Sequence, residues 1–467
     1  MSLETNDNNF VREISLANML EARERRFFRQ QDLRSHYPHN TMICFTMNIA
    51  GPVKNSPLIR RGFLHGCALL RQQMMRIRRK FTYEILFNEV TGNEGYFLID
   101  LPPLEIKRLT AELEDQDAIG RLFDMDVINE NGRKLDREEL GLPERTCLLC
   151  GQPAKICARS RTHTVAQLQE ETSRMLSAFF RTYDLESLAR DACRALLYEV
   201  CTTPKPGLVD RVNTGSHSDM DIFTFMDSAA ALQPYFRHCG EIGMDTRTRE
   251  PSETFRQIRL AGMAAERDML RVTHGVNTHK GAIFSMGIVC AALGRMNHAQ
   301  WSSPEAVLSE CGRIADGIMK TDFQKKTHTE EAGAPARTTG EKLFLQYGIR
   351  GVRGQAEDGF PAVLHAGLPA LERELSRGAD INRAGSVALL ELLCADTDTN
   401  LVARSDLQTQ KEVTEQIRCL LAETPSPDEA AIADLDRQFI EKNLSPGGSA
   451  DLLGLCYLLH FLKEARE

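Results

Sequence analysis

The sequence predicts a multidomain chain in which an α+β front half is followed by an all-α back half. Two observations carry this expectation. Up to about Val165, short apolar runs bounded by Gly, Pro or Asn alternate with helical patterns, whereas beyond it long helical periodicity continues with almost no strand signal. Charge divides at the same point: 24 basic and 22 acidic residues precede it, a balance of +2, and the remaining 33 and 43 give −10. A chain of 467 residues accommodates two or three domains at about 100 to 200 residues each. The expected division is 1–175 and 180–467, with the junction between 170 and 185.

In the front half, Met42 to Ile49, Phe81 to Val90 and Gly95 to Leu101 are β-branched or aromatic-rich and read as strands. Phe63 to Lys80 is Arg-rich and reads as a helix with a basic face, suited to an acidic partner or to plain solvation. Phe123 to Ile128 alternates apolar and acidic residues ahead of the turn residues Asn129, Asn131 and Gly132, and reads as a further strand. Thr164 to Asp184 is polar and helical. In the back half, Leu188, Ala192, Leu196 and Val200 make one helical stripe. Similar patterns recur at 256–272, 281–296, 304–319, 387–395 and 450–462, with loops expected at 204–215, 348–361 and 444–448.

Composition excludes several classes. No apolar run approaches the ~18 residues of a membrane span, and the opening MSLETNDNNF is polar and acidic where a secretory signal is basic and then apolar. A cytoplasmic location follows as the expectation. Thirteen cysteines, most of them in apolar patterns, suit buried thiols better than a disulfide framework. A pI near 5.9 gives no reason to expect nucleic acid.

Candidate chemistry in the front half begins with Asp124 and Asp126. On a strand, i and i+2 point to one face, so the two carboxylates converge while Phe123, Met125 and Val127 pack behind them. Two hard oxygen ligands on one face are what Mg2+ takes when it bridges nucleotide phosphates, although an alternating half-exposed strand gives the same pattern. Cys147, Cys150, Cys157 and His163 have the spacing C-x2-C-x6-C-x5-H, which can close a structural Zn2+ site or can be free thiols beside a helix-face histidine. Arg159 and Arg161 offer guanidinium forks to phosphate.

Four strings taken together carry a resemblance. Thr46-x-Asn48-Ile49-x-Gly51-Pro52-x-Lys54, Thr91-Gly92-x-Glu94, Gly120-Arg121-Leu122-Phe123-Asp124-x-Asp126-Val127, and Arg145-x-Cys147-Leu148-Leu149-Cys150 with Cys157-x-Arg159-Ser160-Arg161-x-His163 resemble the apo-citrate lyase phosphoribosyl-dephospho-CoA transferases, also called holo-citrate lyase synthases, over nearly all of 10–170. Ala50 and Gly95 depart from the usual Pro and Ala. The resemblance implies a nucleotidyltransferase-like fold and transfer of a phosphoribosyl-dephospho-CoA group to a serine of the citrate lyase acyl carrier (gamma) subunit, with release of pyrophosphate. Mg2+ on Asp124 and Asp126, with Lys54, Arg121, Arg159 and Arg161 near the phosphates, would neutralise the leaving group.

In the back half, Thr203-Pro204-Lys205-Pro206-Gly207-Leu208-Val209-Asp210-Arg211 leads to Gly215-Ser216-His217-Ser218-Asp219-Met220-Asp221. The prolines and glycines predict a stiff loop ahead of a helix, dense in opposite charges. Asp219 and Asp221 can chelate from a loop, or can simply cap the following helix. The stretch Thr273-x-Gly275-Val276-Asn277-Thr278-His279-Lys280-Gly281 combines glycines with phosphate donors but lacks the spacing and preceding strand of a P-loop. Further polar knots fall at 347–361, 396–400 and 443–453, and their recurrence between apolar helices predicts that the loops gather at one shared site.

These strings resemble the triphosphoribosyl-dephospho-CoA synthases over about 180–465, with Ser216 in place of a more usual Ala. The resemblance implies that ATP and 3'-dephospho-CoA are joined with release of adenine. That reaction needs charge neutralisation and a base, so Mg2+ is expected on Asp219 and Asp221, phosphates on Lys205, Arg211, His217, Asn277, His279 and Lys280, and the base or ribose contact among Glu199, Asp210 and Glu266. Rival readings are a maturation enzyme for malonate decarboxylase, a zinc-ribbon binding module on a helical scaffold, and a front half that only binds the carrier.

Overall fold

A computed structural model describes residues 11–321 and 339–464. By its internal contacts the chain divides into two units, Met1–Thr182 and Tyr183–Glu467. The division falls within one long helix.

The first unit is built around an antiparallel sheet. Its elements run α1 (Leu16–His36), β1 (Thr41–Met47), α2 (Pro57–Arg76), β2 (Tyr83–Glu89), β3 (Gly92–Ile99), α3 (Pro103–Gln116), β4 (Phe123–Ile128), β5 (Lys134–Leu135), α4 (Ala154–Ser160) and the start of α5 (Val165–Cys201). The strand order is β2-β3-β1-β4-β5. Ser15 caps α1 and Ser56 caps α2, each accepting a backbone N–H three residues on, and Pro57 supplies the preset φ of a first helical position. Strand alternation sorts the sheet into two faces. Ile43, Phe45, Phe97, Phe123, Met125 and Val127 pack with α2, α3, Met175, Leu176 and Phe180 into the main core, while Met42, Cys44, Tyr96, Leu98 and Ile128 form a smaller cluster near Leu33 and Tyr37 of α1.

Three expectations change in this unit. The Arg-rich helix spans 57–76 rather than 63–80, because Arg78 turns to φ 55° and breaks the helical run, leaving 76–80 as an exposed basic stretch. The third strand starts earlier, at Gly92, because residues 90 and 91 form the tight turn of a β2-β3 hairpin with Glu89 opposite Gly92. The polar helix beginning after Thr164 and the apolar stripe ending at Val200 are one continuous helix.

The second unit is helical throughout its described residues. After α5 come α6 (Ile222–Asp245), α7 (Pro251–Val272), α8 (Lys280–Arg295), α9 (Pro304–Ala315), α10 (Thr339–Tyr347), α11 (Gly351–Glu357), α12 (Leu368–Ser376), α13 (Ile381–Ala395), α14 (Thr399–Arg404), α15 (Leu407–Glu423), α16 (Glu429–Glu441) and α17 (Gly447–Glu464). Three of these, α8, α13 and α17, are apolar nearly all round and lie in the centre, as helices without a polar face must. Close approach of α6 to α8 requires small residues: a Cβ on Gly294 would stand 2.1 Å from the carbonyl oxygen of Gly240, and one on Gly243 as near to that of Ala291. The expected loop 348–361 contains α11, so Gly351 and Gly354 sit within a helix. Among the described residues no helix is long and apolar enough to cross a membrane.

Candidate functional site

Of the central helices of the second unit, α8 and α17 begin and α13 ends at one cavity of about 660 Å3, and the polar loops converge there. Lys205, His217 and Asp219 come from the first loop, Asn277 to Gly281 from the start of α8, Arg353 and Gln355 from α11, 396–400 from the approach to α14 and its first residues, and Ser445 with 447–452 from the approach to α17 and its first turns. The shared site expected from the polar knots is therefore present geometrically.

The first loop is held by its own acids. Asp210 accepts the backbone N–H groups of Val212 at 2.7 Å, Asn213 at 3.0 Å and Lys205 at 3.3 Å. Asp436 on α16 accepts Gly207 N–H and the Asn213 amide, both at 2.8 Å. Gly207 has φ 69°, and a Cβ there would lie 2.1 Å from the Leu444 carbonyl oxygen, so only glycine fits this approach. Arg404 donates to the Ser216 carbonyl at 2.8 Å and to His217 Nδ1 at 3.1 Å, which leaves the His217 Nε2–H to donate to Ser445 Oγ at 2.8 Å. Burial and the Arg404 charge hold His217 below the usual histidine range.

Below the loop the charges become buried. Lys205, 1% exposed, forms an ion pair with Glu199 at the end of α5, and burial pushes the Glu199 carboxyl up against the opposing pull of the ammonium. Asp398 caps α14 through the N–H groups of Asn400 and Leu401, and it also accepts Ser449 N–H at 2.6 Å and Ser449 O–H at 2.9 Å. Asp451 accepts the N–H of Ala282 in the first turn of α8. Loss of solvent, then Glu199 and Asp398, push its carboxyl well up. Gly281 is required beside it, since a Cβ there would meet the Asp451 carboxylate.

His279, 2% exposed, lines the same cavity. Thr278 O–H donates to Ser228 Oγ at 2.8 Å, so the Ser228 proton is left to donate to His279 Nδ1 at 2.7 Å, and the ring carries its own proton on Nε2. That buried Nε2–H has no partner. Burial and Lys205 hold the ring neutral, with its pKa lowered to about 3. The cavity wall thus carries a neutral imidazole whose Nε2 is buried and unpartnered.

Several expected residues lie elsewhere. Asp221 is exposed and caps α6, accepting Thr224 N–H at 2.9 Å, so the expected chelating pair with Asp219 is not reproduced: only Asp219 lines the cavity. Asp210 accepts loop N–H groups through both carboxylate oxygens and does not line the cavity. Arg211 donates to Asn382 at 2.9 Å instead of lining the cavity. Glu266 pairs with Lys280 at 2.9 Å and lines a second, largely apolar cavity of about 220 Å3 between α6, α7 and α8. Arg353, Asp396, Asp398 and Asp451, which the site contains, stood inside the polar knots but had no feature to single them out. Arg404 and Ser228 carried no sequence signal.

In the first unit, Asp124 and Asp126 share one face of β4, as alternation predicts, opposite Thr46 and Cys44 of β1. Lys134 on β5 reaches Asp126 at 2.5 Å. Burial and the Asp124 charge nevertheless push the Asp126 carboxyl up. The Thr46 row continues to Glu94, which is buried and held by Arg26 at 2.9 Å and Arg29 at 3.0 Å. Lys54 donates to the Ile49 carbonyl at 2.5 Å, and Arg121 to the Cys147 carbonyl at 2.9 Å. Arg159 and Arg161 are exposed. Cys147, Cys150, Cys157 and His163 place their ligand atoms within 4.8 Å of one another, a cluster compatible with a metal.

Comparison with known proteins agrees with this division of chemistry. Residues 14–179 match the family described as apo-citrate lyase phosphoribosyl-dephospho-CoA transferase, and residues 185–467 that described as ATP:dephospho-CoA triphosphoribosyl transferase. The protein CitXG of Haemophilus influenzae is 35% identical over 95% of both chains, and that of Leuconostoc mesenteroides subsp. cremoris is 32% identical over 96% of this chain and 97% of its own. The 2-(5''-triphosphoribosyl)-3'-dephosphocoenzyme-A synthase of Pectobacterium atrosepticum is 37% identical over 61% of this chain and 92% of its own. The chain therefore belongs to the CitXG family, in which a region of the transferase family precedes a region of the triphosphoribosyl transferase family.

Proposed function

We propose that the second unit makes 2'-(5''-triphosphoribosyl)-3'-dephospho-CoA, and that the first unit, a nucleotidyltransferase-like domain, installs it on the acyl carrier subunit of citrate lyase. In the first reaction the ribose 2'-hydroxyl of 3'-dephospho-CoA attacks C1' of ATP, the C1'–N9 bond breaks, and adenine leaves with the hydroxyl proton. In the second, a carrier serine attacks the α-phosphorus and pyrophosphate leaves.

The observation that carries the reading is the charged cavity of the second unit. Lys280, Arg353 and Arg404 offer cations to a triphosphate at its walls, and His279 Nε2–H offers a buried neutral donor to a phosphate or purine acceptor. Glu199, Asp398 and Asp451 stand at its floor, and the departing proton requires a base there. Burial raises all three carboxyls, and the charges of Glu199 and Asp398 raise that of Asp451 further, a demand for positive charge that a divalent cation would relieve. Asp451 and Asp219 are the side chains we assign to Mg2+, because the Asp398 oxygens already accept four donors. Bound Mg2+ would supply charge neutralisation for the triphosphate. On the sheet of the first unit, Asp124 and Asp126 fit the same ion for the same reason, with Lys134 now partly meeting the demand.

The test is incubation of the full chain with ATP, 3'-dephospho-CoA, Mg2+ and apo carrier, followed by intact-mass measurement of the carrier and quantification of adenine and pyrophosphate. A mass gain equal to the prosthetic group, with one adenine and one pyrophosphate released per carrier, is expected. Adenine release without a carrier mass gain would refute the assignment of the first unit alone.

A narrower result is expected for Gly281→Ala. The new methyl group displaces the Asp451 carboxylate from the Ala282 N–H, so adenine release should fall at least about tenfold, while overpacking lowers stability by about 1–3 kcal/mol. Wild-type adenine release by a folded variant would remove Asp451 from the site.

A further inference from the structure

Cys147 and Cys150 lie on a short knuckle, Cys157 on α4 that follows it, and His163 in the loop between α4 and α5. The knuckle is a tight turn: Cys147 N–H donates to the Gln152 carbonyl at 2.6 Å, Gly151 N–H returns to the Cys147 carbonyl at 3.3 Å, and Thr146 pairs with Pro153 as an isolated bridge. Gly151 takes φ 71°, where a side chain is strained. Backbone N–H groups of Leu149 and Cys150 point at the Cys147 sulfur. Such a turn presents two sulfurs to one point and supplies donors to a thiolate.

The other two side chains complete the set. Cys157 comes from α4, with its Sγ 3.4 Å from that of Cys150, too far for an S–S bond of about 2.0 Å. The edge of a tetrahedron around a zinc ion with Zn–S bonds of about 2.3 Å is about 3.8 Å, close to what the cluster already shows. His163 Nε2 is buried without a hydrogen-bond partner, although an imidazole nitrogen removed from water requires one. An unpartnered buried nitrogen beside three sulfurs is what a metal ligand looks like in the absence of its ion. Among the described residues no other group of His, Cys, Asp or Glu brings its ligand atoms together in this way.

Two bridges run from this knuckle to β4. Arg121, immediately before the strand, donates from one guanidinium nitrogen to the Cys147 carbonyl at 2.9 Å and to Thr146 Oγ1 at 3.1 Å. Glu114 on α3, buried, accepts Met125 N–H at 2.9 Å between the two aspartates, and it pairs with Arg145, two residues before the first cysteine, and with Arg137 at 3.1 Å. Whatever fixes the knuckle therefore fixes the backbone that aims Asp124 and Asp126.

We propose that Cys147, Cys150, Cys157 and His163 bind one structural zinc ion, and that this ion positions the Asp124–Asp126 edge, so that carrier modification depends on it while adenine release by the second unit does not. The second clause rests on the role given above to Asp124 and Asp126; the first does not. With four protein ligands no coordination position is left for substrate, so the ion acts on the reaction only through the backbone it holds. Each cysteine gives up its thiol proton to solvent on binding.

Full-length enzyme purified without chelator should contain one zinc by elemental analysis. Cobalt grown into it should give the visible absorption bands of a tetrahedral thiolate site. Cys150→Ser, at an exposed cysteine that is the gentlest place to cut the site, and His163→Ala should each lose the metal, lower carrier modification at least about tenfold, and leave adenine release unchanged. Mercurial displacement of zinc from the wild-type enzyme gives the same comparison with no mutation. An enzyme without metal, or a Cys150–Cys157 disulfide in its place, would overturn the zinc site. Stoichiometric zinc whose removal leaves carrier modification at the wild-type rate would overturn the positioning role; only loss of carrier modification in Asp124→Asn bears on the reading beneath it.

Discussion

In Asp124→Asn, carrier modification is expected to fall on the order of a hundredfold or more while adenine release continues at the wild-type rate, so that the triphosphoribosyl intermediate accumulates. The size follows from where the carboxylate stands. Asp124 and Asp126 share one strand face, and the Asp126 carboxyl is pushed up by burial and by the Asp124 charge, which means the pair is short of positive charge in the absence of substrate and metal. The same geometry predicts that folding does not suffer. Neutralising one of two repelling carboxylates removes an unfavourable interaction, so the unfolding midpoint of the first unit should stay level or rise. Carrier mass against denaturation midpoint is the discriminating pair of measurements: lost activity together with lost stability would mean that the aspartate is a structural residue.

Lys205→Met is expected to destabilise the second unit by roughly 3 kcal/mol and to abolish adenine release. Lys205 and Glu199 are 2% and 5% exposed at their side chains, so removing the cation strands a carboxylate in a nearly dry site. The loss should sit at the lower end of the range for broken buried pairs, because burial already raises the Glu199 carboxyl and the stranded group can take up a proton. The sign with pH is then fixed. A carboxyl whose folded pKa lies above its unfolded value is stabilised by protonation, so the deficit of the variant should shrink as pH is lowered towards the unfolded carboxylate range. Urea midpoints across that range test this. The double variant Lys205→Met with Glu199→Leu should recover much of the stability and none of the adenine release. Recovery of both would remove the pair from the chemistry.

Strand alternation made the β4 aspartates legible, because a period of two fixes which side chains share a face before any partner strand is known. The cysteine spacing was legible for a similar reason: a two-residue gap closes a turn locally. Local reasoning failed where the outcome depended on distant partners. Asp221 and Asp219 look alike in sequence, but Asp221 caps α6 and Asp219 reaches the cavity. Asp210 reads as a base and serves as the acceptor for its own loop. Asp398 sits in the polar knot ahead of α14 and Asp451 near the start of α17, and only the convergence of α8, α14 and α17 makes them neighbours of Glu199. The end of the Arg-rich helix was misplaced because nothing in the composition of 76–80 marks the left-handed turn at Arg78.

The floor of the second cavity has a consequence for the order in which this enzyme comes into being. Glu199 and Lys205 meet Asp451 only after α17 has been synthesised, more than 240 residues later, whereas the sheet of the first unit and the helical turn that covers it are complete by Phe180. On a ribosome that releases the chain from its amino end, the half that uses the intermediate can be folded and waiting before the half that makes it has a site at all. A nascent chain stalled ahead of Gly447 should therefore bind carrier protein but release no adenine.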